Sequence, residues 1–262
     1  MNGVNKTLYI PLYGKAQVSQ KGIILHDPKA EQLWAAEGFA LGRKARSKWL
    51  AYYMGMRAAV FDDWVRAQLA QHPDAVVLHL GCGLDSRAQR VSAPCACWYD
   101  VDFPEVIAER SRWFAQTDCY RMLGADVLTD GWLQSLPAVP CAVVVMEGIS
   151  MYLPPQQLQA LLARLSSRFG QVALLLDCYT PFAAKASRYK NPINEVGVTQ
   201  VYGMDDPAAL QQDTGLQFVQ EHSMTPAALI GQLQGAERRV FQTLYAGRMA
   251  RRLYRMYEYR KP

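Results

Sequence analysis

The segment VVLHLGCGLDSR, from Val76 to Arg87, places two glycines and an acid directly after a nearly continuous apolar run. Gly81 and Gly83 form a Gly-x-Gly turn, and such a turn lets the backbone approach a ligand where a Cβ atom would collide. A dinucleotide-binding turn has a third glycine, but Ser86 stands in its place, and the P-loop signature is also missing. The turn therefore predicts a small-molecule site without naming the molecule.

Four acidic side chains follow four predicted strands, and they narrow the choice of ligand. In strand order they are Asp85, Asp102, Asp126 and Glu147. The carboxyl ends of parallel strands meet at one edge of a sheet, where open α/β sheets bind ligands. Four carboxylates there would repel a pyrophosphate. S-adenosylmethionine has no phosphate, is cationic at its sulfonium and ammonium groups, and offers hydroxyls that need acceptors. We therefore predict S-adenosylmethionine as the ligand.

Position also predicts roles for these acids. Asp102 lies 19 residues after Gly83, where an acid reaches ribose hydroxyls in nucleotide-binding folds. Asp126 is predicted to face the adenine edge, and Glu147 the amine of the methionine part. Simpler interpretations stay open, in which Asp102 caps the helix that begins at Pro104 and Asp126 or Asp85 is a solvated loop residue.

Predicted strands and helices alternate along the chain and must position the glycine turn and the strand-end acids. The predicted strands are 75–80, 95–101, 120–124, 142–146, 172–176 and one near 216–219. Helical periodicity is found from Pro28 to about His72 and again over 154–169, where leucines form one stripe. Regular strand–helix alternation predicts an α/β fold with a mostly parallel sheet covered by helices.

Length and composition agree with one large α/β domain. The chain has 262 residues, of which 50% are hydrophobic and 19% charged. No apolar run reaches the roughly 18 residues of a membrane span, and the N-terminus lacks a secretory pattern, so we expect a cytoplasmic protein. The six cysteines include no C-x-x-C pair, which predicts reduced, mostly buried thiols and no metal site.

Four segments, in this order along the chain, resemble the leucine carboxyl methyltransferase family: HLGCGLDSR, WYDVDFPEVI, GADV and EGISMYL. They are most similar to its bacterial branch, the tetracenomycin-type polyketide O-methyltransferases, and the resemblance spans roughly residues 7 to 155. It implies a class I methyltransferase (Rossmann-like) fold, with a seven-stranded sheet whose last strand is antiparallel. It also implies a helical cover (1–72) and a donor-binding core (73–262) within the same domain.

The resemblance further implies a set of donor contacts. Arg57 and Lys15 would hold the carboxylate of the donor, and Gly81 and Gly83 would approach its methionine part. Asp102 would bind the ribose, Asp126 and Val127 the adenine, and Glu147 the amine. The family often has arginine in the place of Lys15, and lysine cannot match its bidentate grip.

No catalytic base stands out among the four histidines, and His79 is interpreted as a core residue. A carboxylate acceptor is already ionised at neutral pH, whereas a phenol would benefit from a base. The sequence therefore favours methylation of a carboxylate, and the resemblance implies that the acceptor is a small molecule, a polyketide or another secondary-metabolite acid. The predicted acceptor pocket comprises Met151, Tyr152 and Tyr179, with Cys178, Tyr189 and Tyr202 as further candidates. Ordinary core packing is an equal alternative, and we expect an unidentified arginine to pair with the acceptor.

The C-terminal segment 235–262 allows another interpretation, because it has seven Arg and one Lys against two Glu. Arginine interleaved with tyrosine can bind RNA through phosphate pairing and stacking. The simpler interpretation is a final helix and an antiparallel strand with buried tyrosines and solvated arginines. A protein C-terminus or a phenol as acceptor also stays open. The sequence predicts no membrane partner and does not predict the oligomeric state.

Overall fold

The computed structural model describes residues 8–37, 45–187 and 200–262. In this part of the chain seven strands form one sheet: β1 (Val76–Leu80), β2 (Cys97–Asp102), β3 (Tyr120–Gly124), β4 (Cys141–Met146), β5 (Gln171–Tyr179), β6 (Gln217–Glu221) and β7 (Tyr254–Lys261). Their order is β3-β2-β1-β4-β5-β7-β6. β1 to β5 pair in parallel, and β7 is antiparallel to both neighbours. The predicted α/β fold, with its antiparallel last strand, is confirmed.

Helices precede the sheet and connect its strands. They are α1 (Tyr9–Gln20), α2 (Pro28–Glu37), α3 (Lys48–Gln71), α4 (Arg87–Val91), α5 (Pro104–Arg110), α6 (Gly131–Gln134), α7 (Pro155–Arg168), α8 (Pro181–Ala186), α9 (Ala227–Ile230), α10 (Gly235–Leu244) and α11 (Arg248–Leu253). The stretch predicted as helical from Pro28 to His72 is divided into α2 and α3. None of the helices in the described ranges is long and apolar enough to cross a membrane.

The central strands are apolar on both faces because helices cover both faces. Every residue of β1 and β4 is buried. Val77 and Val143 pack in the cluster that contains the inner face of α3, whereas Val76 and Val144 pack with the leucine stripe of α7. The predicted strands agree with the observed ones to within two residues at each end, except that β5 continues to Tyr179. The additional residues pair with β7, which sequence periodicity does not reveal.

Two glycines allow α1 to cross α3 closely. A Cβ atom on Gly14 would lie 2.7 Å from Cβ of Met54, and one on Gly55 would lie 2.7 Å from Cγ2 of Val18. Any side chain at either glycine would force the helices apart. The crossing holds both helices beside the carboxyl edge of the sheet.

The basic C-terminal segment forms α10, α11 and β7, in agreement with the simpler interpretation. Tyr257 and Tyr259 are buried in β7, and their hydroxyls donate to the carbonyls of Asp205 and Pro207 at 3.0 and 2.9 Å. These two rings cannot stack on bases, so they do not support the RNA-binding interpretation. Of the six cysteines, four are buried, Cys95 is half-buried and Cys119 is exposed, with all thiols free.

Candidate functional site

One cavity of about 360 Å³ lies at the carboxyl edge of the sheet, where the strand order changes direction beside β1. It brings together twelve of the site residues that the sequence predicted: Lys15, Arg57, Gly81, Gly83, Asp85, Asp102, Asp126, Val127, Glu147, Met151, Tyr152 and Tyr179. We call the part lined by Gly81, Gly83, Asp102, Asp126 and Val127 the glycine side. The aromatic side is the part lined by Met151, Tyr152, Tyr179 and Tyr254.

The Gly-x-Gly turn after β1 needs glycine for conformation and for space. Gly81 and Gly83 have φ angles of +67° and +52°, in the left-handed region. A Cβ atom on Gly81 would lie 2.8 Å from Cδ1 of Ile149, and one on Gly83 would lie 3.2 Å from Cβ of Leu8. The turn thus presents bare backbone to the cavity.

Asp102 is fixed against this turn by two backbone donors. Its carboxylate accepts from the N–H of Gly83 at 2.7 Å and from the N–H of Phe103 at 2.8 Å. Phe103 is the residue before α5, and no side chain caps that helix. Asp102 therefore does not cap α5, and its carboxylate is oriented at the glycine side. Burial raises its pKa above the ordinary value, and the two N–H donors oppose that shift.

Hydrogen bonds also fix the loop that follows β3. Asp126 accepts from the N–H of Leu128 at 2.9 Å. The carbonyl of Val127 accepts from Trp132 Nε1 at 3.3 Å and from Arg164 Nη2 at 3.2 Å. Side-chain and backbone groups of this loop are therefore preorganised along the cavity wall.

Buried ion pairs extend from the wall of the cavity into the interior of the protein, and Lys15, Arg57, Asp85 and Glu147 are the members that line it. We call the residues that form them the charge network: Lys15, Asp27, Arg57, Asp62, Asp85, Arg87, Arg90, Glu147 and Asp177. Arg57 joins Glu147 at 3.0 Å and Asp177 at 2.9 Å, and Arg87 also pairs with Glu147. Lys15 lies 3.0 Å from Asp85.

The charge network changes the electrostatics that we expected from the sequence. Burial alone would raise the pKa of Glu147, but Arg57 and Arg87 lower it to about 2. Burial likewise opposes ionisation of Asp85, whose pKa is nevertheless held well below its ordinary value by Arg90 and then Lys15. Two of the four strand-end acids are therefore neutralised by cations, and the argument that four carboxylates repel a pyrophosphate is wrong. Within the described residues, Asp102 and Asp126 have no ion-pair partner.

Sequence reasoning missed five members of the charge network: Asp27, Asp62, Arg87, Arg90 and Asp177. Arg87 and Arg90 lie one turn apart on α4, directly after the glycine turn, and that spacing could have indicated a shared face. Asp177 follows the predicted fifth strand and would have been found by the criterion that selected the other acids. It accepts from the N–H of Gly148 at 2.5 Å as well as from Arg57.

Tyrosine rings dominate the aromatic side. Tyr254 and Tyr179 face each other across β7 and β5, with ring centroids 4.6 Å apart and a hydroxyl–hydroxyl distance of 3.0 Å. Tyr254 had no signal in the sequence. Cys178 was predicted to line this pocket but points to the opposite face of β5, where its thiol meets the carbonyl of Met204, because side chains alternate along a strand.

Two further residues that were predicted for the acceptor pocket are not found in its described lining. Tyr202 is absent from the described lining of the cavity, and Tyr189 lies outside the described residues.

His79 is confirmed as a core residue. Its Nδ1 lies 3.2 Å from Asp100 and its Nε2 lies 3.2 Å from Arg87. Within the described ranges, no cluster of three or more His, Cys, Asp or Glu residues could hold a metal ion.

Known proteins resemble this chain over most of its length. A sequence profile of the leucine carboxyl methyltransferase family matches residues 12–166. The tetracenomycin polyketide synthesis O-methyltransferase of Streptomyces glaucescens is 34% identical over 241 residues, which cover 91% of this chain and 89% of that protein. An S-adenosylmethionine-dependent methyltransferase of Gibberella zeae is 24% identical, with 80% and 78% covered.

A solved structure supports the fold. The magnesium protoporphyrin IX methyltransferase of Synechocystis PCC 6803, with bound S-adenosylhomocysteine, superposes with a TM-score of 0.52 at 14% identity. The match covers 90% of this chain and 94% of that one, and it shows a shared class I methyltransferase fold. With the glycine turn, the strand-end acids and the sequence relatives, these findings establish an S-adenosylmethionine-dependent methyltransferase. The chain belongs to the leucine carboxyl methyltransferase family.

Proposed function

We propose that this enzyme methylates a carboxylate oxygen of a small organic acid, such as a polyketide or another secondary-metabolite acid. The observation that carries the proposal is a cavity in whose described lining no histidine is free to act as a base, while its acidic side chains are assigned below to the donor. His79 is its single histidine, and both ring nitrogens already have partners. A carboxylate needs no base, because it is ionised at neutral pH. The Streptomyces relative is an O-methyltransferase named for polyketide synthesis, which supports O-methylation of a polyketide or a similar small molecule.

The glycine side fits the donor, and we infer the contacts from its geometry. Gly81 and Gly83 leave the space that a side chain would fill. The oriented carboxylate of Asp102 suits ribose hydroxyls, and the loop of Asp126 and Val127 suits the adenine. When bound, the donor supplies a methyl group activated by a cationic sulfur. Asp102 and Asp126 give that cation a site with negative charge.

The charge network suits the amino-acid end of the donor. Lys15 and Arg57 are proposed to bind the donor's carboxylate, and Glu147 its ammonium group. Each of these side chains already has a partner of opposite charge, so the network presents fixed charges of both signs to a zwitterion. Nε of Arg57 is buried without a hydrogen-bond partner in the described structure, which leaves this guanidinium one N–H to offer. The division into a helical cover (1–72) and a core (73–262), and the cytoplasmic location, stay predictions.

The test is incubation of the enzyme with methyl-labelled S-adenosylmethionine and a panel of carboxylic acids and phenols, followed by mild base. Methyl esters release volatile labelled methanol, whereas aryl ethers do not. We expect labelled methanol with at least one acid. Label that stays in a base-stable product from a phenol would contradict the proposal, and label in RNA or in a protein C-terminus would redirect it.

A further inference from the structure

The cavity contains two cations that could pair with an acceptor carboxylate, and both are already engaged. Within the described lining, Lys15 and Arg57 are the lysine and arginine side chains present. Lys15 lies 3.0 Å from Asp85, and Arg57 bridges Glu147 and Asp177. Both also belong to the donor site proposed above. The arginine that we expected for the acceptor is therefore missing from the described lining, and a neutral group must orient the acceptor oxygen.

Tyr254 is the group best placed for that role. It begins β7, directly opposite Tyr179 in the register of β5, and both rings line the aromatic side. Its hydroxyl donates to the hydroxyl oxygen of Tyr179 at 3.0 Å. Burial raises the pKa of Tyr254 well above its ordinary value, and Arg57 only partly opposes this shift. The hydroxyl thus stays protonated and acts as a hydrogen-bond donor rather than as a base.

We propose that the hydroxyl of Tyr254 turns from Tyr179 to the acceptor and donates a hydrogen bond to its carboxylate oxygen, which makes Tyr254 a specificity-determining residue. A carboxylate is a stronger acceptor than a phenol oxygen, so the exchange of partners is favourable. The proposal rests on the proposed carboxyl methylation. Tyr179 and Tyr254 both lie beyond residues 12–166, so this contact is separate from the part of the chain that matches the family.

A neutral hydrogen-bond donor beside the acceptor carboxylate also suits the reaction better than a guanidinium. In methyl transfer the second carboxylate oxygen forms a bond to the methyl carbon, and the electron pair of the carbon–sulfur bond leaves with sulfur. The acceptor loses its negative charge on the way to the ester. An arginine partner would stabilise the anionic ground state more than the less charged transition state and would slow the step. A hydroxyl fixes the oxygen with a smaller penalty of this kind.

The test compares Tyr254→Phe with Tyr257→Phe, which removes another buried hydroxyl from the same strand, away from the cavity. Each protein is saturated with S-adenosylhomocysteine and titrated calorimetrically with naphthalene-2-carboxylate and with the neutral naphthalene-2-carboxamide. We expect Tyr254→Phe to weaken carboxylate binding about tenfold, with a smaller effect on the amide. Tyr257→Phe should bind both probes like the parent protein. Affinity for S-adenosylhomocysteine should not change in either variant.

Steady-state kinetics with the acid methylated best give the second readout. We expect Tyr254→Phe to raise KM for that acid about tenfold with little change in kcat, since no proton transfer is lost. Unchanged carboxylate affinity and KM in Tyr254→Phe would overturn the inference while ester formation upheld the proposed function. An equal loss in Tyr257→Phe, or parent protein that binds no aromatic acid, would also overturn it. Failure to form any ester would instead refute the proposed function itself.

Discussion

The glycine side and the aromatic side of the cavity are built by different physical means. Backbone N–H groups, a turn that requires glycine and the neighbouring charge network fix the glycine side. Ring packing forms the aromatic side, where Tyr179, Tyr254 and Met151 belong to a small cluster with Ile10 and Ala183. Directional contacts tolerate few substitutions, whereas apolar packing adapts to changes of shape. The contrast agrees with the proposed function, in which the glycine side binds one invariant donor and the aromatic side binds the acceptor.

Substitution in the charge network should give the largest effect, because removal of one partner leaves other charges buried. We expect Glu147→Gln to cost about 3 to 5 kcal/mol of stability at neutral pH. Since the folded pKa of Glu147 is about 2, below the ordinary 4.5, its contribution is fully present above pH 4.5 and is lost as the pH falls toward 2. Urea unfolding from pH 7 to 2.5 measures the difference between parent and variant.

The exposed pair of Lys48 and Glu237, at 2.8 Å, supplies the control. Glu237→Gln should cost less than about 1 kcal/mol at every pH. A cost of Glu147→Gln that stays the same down to pH 2.5 would show that the carboxylate is not what stabilises the network.

A side chain in the glycine turn should abolish donor binding with a moderate loss of stability. In Gly83→Val the new side chain enters the cavity, and the backbone at φ +52° is strained by about 1 to 3 kcal/mol. Gly22→Val is a matched control, because Gly22 has φ +64° and nothing within 4 Å of an added Cβ. Calorimetry with S-adenosylhomocysteine should detect binding to the control and none to Gly83→Val. Equal affinities would place the donor elsewhere.

A conservative change on the aromatic side should have the smallest effect. Ile10 is 6% exposed, lines the cavity and belongs to the apolar cluster that contains Met151 and Tyr179. We expect Ile10→Val to lower stability by about 1 kcal/mol and to leave donor affinity unchanged. The preference among acids of different width should shift instead, which competition assays with the labelled donor can measure. A parallel loss of donor affinity would mean that the two sides are not independent.

The sequence was sufficient to predict the fold and the glycine side, since both depend on local patterns. Apolar runs located the strands, and strand-end acids led to Asp102 and Asp126. The partners in the charge network were beyond such reasoning, because Arg57 meets Asp177 across 120 residues of chain. Tyr254 could not be predicted either, because its place beside Tyr179 depends on the pairing of β7 with β5, which are also far apart in the chain.

The sheet order has a consequence for synthesis on the ribosome. Among the described residues, β6 pairs with no strand other than β7, although β7 follows it in the chain. A nascent polypeptide that has already exposed β6 must therefore hold that strand without this partner until the helices α9 to α11 and then β7 have been synthesised. Folding of this edge of the sheet thus waits for β7, and Tyr254, which lines the cavity, arrives with the same strand.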